Sequence, residues 1–387
     1  MTGMPVYLDH NATTPCDPAV VEAMLPFFSG NFGNAASNSH RYGWEAAEAV
    51  DTARQQVASL IGASASSIIF TSGATEAVNL AIRGIIEGSS LSEKHIITWA
   101  TEHKAVLDVC HHLEQTGVSV TILPVKHNGL PNLELFRSAI RSNTVLASMM
   151  AANNETGVIM PVKEAAVIAH AHGIRFFSDA TQAVGKVPVS AEEMGIDLMA
   201  FSGHKLYGPK GIGALYIKSG TASSLRPQLF GGGHERGLRS GTLNVPGIVG
   251  LGKACEIART HMENDANRLS VLRDRLVHGL IQLPNTTVNG KTDALLPHVA
   301  NLTFGFPGGD RLLQKIAREV AASSGSACSS AITQPSHVLS AMGLNETEAL
   351  SSIRFSLGRG TTAEQIEKVI EVISRTISGF QTGSPLG

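Results

Sequence analysis

Lys205 stands in Phe201-Ser-Gly-His-Lys-Leu-Tyr-Gly-Pro-Lys-Gly211, just past a short apolar run. Asp179 ends another such run, in Phe176-Phe-Ser-Asp-Ala-Thr-Gln182. A carboxylate at the C-terminal end of a parallel strand lies where open α/β sheets hold ligands. Its plainer alternative is a helix N-cap. Ile68-Ile-Phe-Thr-Ser-Gly-Ala-Thr-Glu-Ala77 runs from a strand through Ser, Gly and Thr into a helix. That geometry aims free backbone N–H groups at an anion such as a phosphate, although an ordinary strand-to-helix turn reads the same way. A lysine to form a Schiff base, an acid to keep a pyridinium nitrogen protonated and a phosphate-type helix start are together what pyridoxal phosphate requires. Ser202 and His204 could add phosphate donors. A P-loop reading of Gly203 to Gly208 fails, because Pro209 stands where a lysine is required and Lys210 comes one place late.

Other segments offer further groups. His103, in Trp99-Ala-Thr-Glu-His-Lys-Ala105, closes a strand and could stack on a ring or move protons. Asn153-Asn-Glu-Thr-Gly157 gives another strand end rich in polar groups. Gly231 to Thr242 carries Arg236 and Arg239, and is either a surface loop or an anion site, possible across a subunit interface. Cys328 lies in Ser323-Ser-Gly-Ser-Ala-Cys-Ser-Ser330, among small polar residues that cannot form a core. An accessible loop thiol of this kind is a candidate nucleophile. Cys110 and Cys255 sit in helix-like surroundings and read as packing residues, and Cys16 as a plain loop residue. Arg354 falls inside an apolar strand, where it needs a partner. A substrate carboxylate held bidentately would serve, and so would a structural salt bridge. No histidine or cysteine spacing suggests a metal site.

These groups need a scaffold. Ser67–Phe70, His95–Trp99, Thr121–Leu123, Val145–Met150, Arg175–Phe177, Leu198–Phe201 and Ala214–Ile217 read as buried strands. Helical patterns lie between several of them, as at Thr75–Arg83 and Ala105–Leu113. The alternation predicts an α/β domain with a mainly parallel seven-stranded sheet. The texture changes in a long helical stretch, Ile248–Leu283, and later strands and an amphipathic helix at Thr362–Ile377 predict a smaller α+β domain. The expected division is residues 15–260 for the large domain, with 1–14 and 261–387 forming the small one.

Composition narrows the class. The chain has 387 residues with 30 Lys+Arg against 32 Asp+Glu, a net charge of −2. That balance excludes a strong electrostatic footprint for nucleic acid or an anionic membrane. The start of the chain has no basic-then-apolar signal pattern, and four unpatterned cysteines suggest reduced thiols in the cytoplasm.

Assembled, the segments resemble the cysteine desulfurases of the NifS/IscS type, in the class-V aminotransferase superfamily of fold-type I pyridoxal-phosphate enzymes. Ten ordered motifs carry the resemblance: Tyr7-Leu-Asp-His-Asn-Ala-Thr-Thr-Pro15, Phe32-Gly-Asn34, Thr71-Ser-Gly-Ala-Thr-Glu76, Thr101-Glu-His103, Asn153-Asn-Glu-Thr-Gly157, Asp179-Ala-Thr-Gln182, Ser202-Gly-His-Lys205, Arg239-Ser-Gly-Thr242, Ser323-Ser-Gly-Ser-Ala-Cys328 and Arg354-Phe-Ser356. The chain departs from the family's usual pattern at Gly308-Gly-Asp310 and at Ala35.

The resemblance implies roles by position. Lys205 would hold pyridoxal 5′-phosphate as a Schiff base, with Asp179 on its ring nitrogen and Gln182 on its phenolic oxygen. His103 would stack on the ring and transfer protons. Ala74, Thr75, Ser202 and His204 would bind the phosphate end, with Thr242 reaching in from the second subunit of a homodimer. Asn154 would serve both cofactor and substrate, and Arg354, with Asn34, would grip the carboxylate of L-cysteine. Cys328 would take the sulfur as a persulfide and pass it to acceptor proteins such as an iron–sulfur scaffold. Selenocysteine lyase, or another β-lyase on the same fold, is the alternative.

Overall fold

The computed structural model describes residues 3–324 and 334–382. The chain begins with β1 (Val6–Tyr7), α1 (Pro18–Met24), α2 (Pro26–Ser29) and α3 (Arg41–Leu60). Then come β2 (Ile68–Thr71), α4 (Ala74–Gly88), β3 (His95–Trp99), α5 (Lys104–Gln115), β4 (Ser119–Leu123) and α6 (Leu133–Ala139). They are followed by β5 (Thr144–Ser148), α7 (Val162–Ala171), β6 (Arg175–Asp179), β7 (Leu198–Ser202) and β8 (Gly213–Ile217). The long α8 (Val245–Ile281) leads to β9 (Thr286–Val288), β10 (Val299–Phe304), α9 (Leu312–Ile316) and β11 (Val320–Ala321). The last elements are α10 (His337–Ala341), α11 (Glu346–Leu350), β12 (Ser352–Ser356) and α12 (Ala363–Thr382).

Seven strands form one sheet in the order β2-β8-β7-β6-β5-β3-β4. All neighbours from β7 through β4 are parallel, while β8 runs antiparallel to both β7 and β2. The expected mainly parallel sheet is therefore present, with β8 as its single reversed strand. Its strands are short apolar runs because both faces are covered. Ile97, Ala147, Phe176, Met199 and Phe201 pack on one face, and Ile96, Leu146, Phe177, Leu198 and Ala200 on the other.

The α3 helix has no counterpart among the helices read from the sequence. Its signal was a stripe of small apolar residues, Ala46, Val50, Ala53 and Val57, which let α3 lie close against α8. The approach leaves no room for a side chain at Gly252, where a Cβ would come within 2.6 Å of Ala53 Cα.

A second core gathers Leu269, Leu272, Leu276 and Leu280 of α8 with β10, β12 and α12, and also takes in Val6 and Leu8 from the start of the chain. There β9, β10 and β12 form an antiparallel sheet in the order β12-β10-β9. Residues 9–14 cross from this second core to the large sheet, since Asp9 bridges Ser356 while Thr14 N donates to His204 O. That crossing joins the strand β12 to the large sheet through residues 9–14.

Candidate active site

The C-terminal ends of β2, β3, β5, β6 and β7 share one sheet edge, and a cavity of about 480 Å³ opens there. Its lining includes Ala74, Thr75, His103, Asn154, Asp179, Gln182, Ser202, His204, Lys205 and Arg354. Most residues singled out from the sequence thus meet in one pocket. Asn34 and Thr242 are exposed and do not line it. Cys328 lies outside the described residues.

One end of the pocket is built by a local turn. Gly73 has φ +156° and starts α4 without a side-chain cap, which leaves the helix N-terminus open to the cavity. A Cβ on Gly73 would meet only Ser202 Oγ, at 3.8 Å, so that hydroxyl faces the same open space. Gly213 behind it has no such freedom: its Cβ would sit 2.7 Å from Gly73 Cα. Bare amides, a positive helix end and two hydroxyls, Thr75 and Ser202, suit a phosphate. An ion pair from Arg239 Nε to Glu76 Oε1, 2.8 Å, ties the glycine-rich loop to this helix start.

Lys205 follows β7 directly, in a short 3₁₀ turn. Its Nζ donates to two backbone carbonyls, Asn11 O at 2.5 Å and Ala12 O at 2.7 Å. Burial, followed by the nearby Arg354 charge, lowers its pKa to about 8, against weaker pulls upward from Asp9 and Asp179. At neutral pH such a lysine is still mostly protonated, but far more of it is free amine than for an ordinary lysine, and that fraction can attack a carbonyl carbon. Asp179 is buried at the end of β6, and its Oδ1 accepts from Thr181 N at 2.9 Å.

His103 does not end a strand, as the sequence suggested. β3 stops at Trp99, and His103 is the N-cap of α5, its Nδ1 accepting from Ala105 N at 3.1 Å. In the neutral ring the proton is therefore on Nε2. The histidine is open on the pocket wall, yet its pKa is lowered, first by crowding against the protein and then by Lys205 and His337, with Asp179 opposing. The N-terminus of α5 favours the same neutral form. His204, whose Nδ1 meets Thr13 Oγ1 at 3.1 Å, is pushed down to about 4 by burial and by Lys205 and Lys210.

The opposite end is cross-linked over long sequence distances. Arg354 is 2% exposed, donates from Nη2 to Asp9 Oδ1 at 2.6 Å and from Nη1 to Asn154 O at 3.1 Å. Of the two partners weighed for this arginine, the structure contains the salt bridge. Among the described residues its Nε is buried without a partner, as are Asn154 Oδ1 and Thr181 Oγ1 on the same pocket's lining. Buried polar atoms left unpaired are costly, and here all three belong to residues that line one pocket. Asn154 is presented by Asn153, whose Oδ1 accepts from Glu155 N and Thr156 N.

The sequence assigns no role to Asp9, Asn11 or Thr181, all of which belong to this arrangement. The signal for the first two was a polar run, Asp9 to Thr14, following the apolar Val6 and Leu8. Nothing in that run says that Arg354 is its partner.

A family model described as aminotransferase class-V matches residues 6–369. The cysteine desulfurase IscS of Pectobacterium carotovorum is 49% identical over 385 residues, covering 99% of this chain and 95% of its own length. A mitochondrial cysteine desulfurase of Arthroderma benhamiae is also 49% identical, over 99% of this chain and 76% of its own. Among solved structures, a NifS-like protein superposes with a TM-score of 0.90 at 37% identity, covering 97% of this chain and all of its own.

Proposed function

The chain belongs to the class-V aminotransferase family and, within it, to the cysteine desulfurases of the IscS type, and from that premise we propose how its pocket works. The enzyme converts L-cysteine to L-alanine and holds the sulfur as a persulfide on Cys328. The observation that carries the reading is Lys205. It is a partly buried amine brought down to about 8, held among the described residues by two carbonyls, on the sheet edge that also carries Asp179 and the open start of α4.

Those residues fit pyridoxal 5′-phosphate. The unpaired Asn154 Oδ1 and Thr181 Oγ1, and the space left bare at Gly73, support that fit. Lys205 is the residue that would hold its aldehyde carbon, Asp179 its ring nitrogen, and Ala74, Thr75, Ser202 and His204 its phosphate, with Thr242 of a second subunit. When bound, this group supplies an electron sink that weakens the Cβ–S bond of the substrate.

The chain's own residues do the rest. Arg354, with Asn154 and Asn34, orients the substrate carboxylate, and the unpaired Nε is the donor it has to spare. Gln182 and His103 flank the cofactor, and the Nε2 proton of His103 is the one free to move, because Nδ1 is taken by Ala105 N. The amine of Lys205 can carry the substrate's α-proton. Cys328 attacks the substrate sulfur: the S–S bond forms, the Cβ–S bond breaks, and Cβ gains a proton to give alanine. No outside oxidant or reductant is required.

The protein works as a homodimer in the cytoplasm and hands its sulfur to acceptor proteins, an iron–sulfur scaffold among them. Exposed Phe28, Phe32, Trp44 and Phe230 support a protein-covered surface. No helix among the described residues is long and apolar enough to cross a membrane. We place the domain division near residue 260, since Ala258 packs with the sheet core and Leu269 with the second core.

Cys328→Ser tests the sulfur acceptor. The variant is expected to keep the cofactor's visible band and to lose sulfide release from cysteine in the presence of a thiol reductant. Sulfide at the wild-type rate would refute the assignment. Alanine release from selenocysteine alone, with none from cysteine, would favour the lyase instead.

A further inference from the structure

Residues 9–14 thread between the two cores, and Asn11 on this segment is hydrogen-bonded at every polar atom. It is 2% exposed. Its backbone N donates to Ser356 Oγ at 2.9 Å. Its backbone O accepts from Lys205 Nζ at 2.5 Å and from Gln182 Nε2 at 3.1 Å. The side chain reaches the other way: Nδ2 donates to Asn154 O at 3.0 Å, and Oδ1 lies 2.9 Å from His298 Nε2. Because Nδ2 is committed to a carbonyl, the atom facing His298 is an oxygen, which can only accept. His298 is therefore a donor at Nε2, and its Nδ1 is buried without a partner among the described residues. Its ring is kept neutral mainly by burial, with Lys186, His10, Arg273 and Arg354 adding to the effect.

We infer that Asn11, anchored by His298, is a positioning residue that fixes the Lys205 amine in the pocket. The inference rests on Lys205 being the cofactor lysine. Asn11 touches the lysine through its carbonyl, and its side chain sets where that carbonyl stands. The charges facing Lys205 are Arg354 from β12, Asp9 from the same segment and Asp179 from β6, with His103, His204 and Lys186 around them. None of these bonds to Nζ. Its two carbonyl acceptors favour the charged amine, so loosening one lets the pKa fall further.

The test uses the full chain stripped of bound cofactor, mixed with pyridoxal 5′-phosphate, and follows the imine band as a function of pH. Wild-type imine formation is expected to have its midpoint near 8. Asn11→Ala and His298→Leu are each expected to lower that midpoint by roughly half a pH unit or more. His298→Gln, which keeps an N–H donor, is expected to restore it. The double variant should shift no further than either single one. An unchanged midpoint in both single variants overturns the inference, and so does a lowered melting temperature without a midpoint shift. If Asn11→Ala does not fold, the two His298 variants decide. Lys205→Ala separates the two levels. Its failure to form the imine keeps the cofactor reading standing whatever Asn11 does, whereas a wild-type band takes down that reading and this inference with it.

Discussion

The two ends of the pocket are built in opposite ways. The end at α4 is made from two short runs at strand ends: Gly73, Ala74 and Thr75 follow β2, and Ser202 closes β7 with Gly203 to Lys205 after it. It offers many neutral donors, few of them committed to one another. The end at Arg354 joins residues hundreds of positions apart, Asp9 with Arg354, Asn11 with His298 and Asn154, and almost every donor there is already engaged. An anion at the first end would share its interactions among many weak groups. One at the second would depend on a single buried cation, Arg354.

Mutations can break that contrast. Arg354→Ala should be the most damaging, because it removes the only guanidinium among the described residues lining the pocket and leaves Asp9 without its partner. Truncating the cationic partner of a buried, charge-assisted contact to the substrate carboxylate costs about 3 kcal/mol of binding, so kcat/KM for cysteine should fall by roughly 100-fold. Steady-state kinetics check it, and a change below tenfold would show that Asp9, not the substrate, is the arginine's working partner.

Gly73→Ala should come next. Space is not the obstacle, since the added Cβ meets nothing closer than 3.8 Å. The backbone is: φ of +156° is unfavourable for alanine. A strain of about 1–2 kcal/mol should weaken retention of pyridoxal 5′-phosphate by roughly tenfold, read by equilibrium dialysis. Equal retention would mean that the helix start adapts freely and that this end is softer than the contrast requires.

The smallest effect is one of pH. Burial leads the causes that lower His10 to about 4, with Ser356 O and Asp9 opposing and Lys186 adding. A histidine with a depressed native pKa takes up its proton in the unfolded chain first. Its contribution is then fully present above about 6.5, the unfolded value, and is lost as pH falls toward 4. Between pH 6.5 and 5.5 the loss is roughly 1 kcal/mol. Melting temperature should therefore hold steady above 6.5 and decline below it, less steeply in His10→Asn. Parallel declines in both proteins would place the acid sensitivity elsewhere, His204 at the opposite end being the next group to examine.

Legibility in the sequence follows the same division. The sheet could be read because strands buried on both faces are short apolar runs, and the positions of Lys205 and Asp179 at strand ends followed from it. The α3 helix is not legible, because its stripe is made of alanines and valines suited to close approach to α8 rather than to hydrophobic contrast. The sequence puts His103 at a strand end because its capping bond to Ala105 N is a matter of backbone conformation that residue types do not show.

By itself, the sequence determined the parts and their local geometry: a lysine and an acid at neighbouring strand ends, a glycine start for α4, a thiol in a run of small residues, and near-neutral charge. Those features depend on residues within a few positions of one another. The tertiary structure alone decided the partners. Arg354 meets Asp9, Asn11 joins His298 to Lys205, and the lysine is held by carbonyls instead of a carboxylate. The reason is physical. A buried charge or amide must find a complementary group, and only the packing of the second core against the sheet brings one within reach.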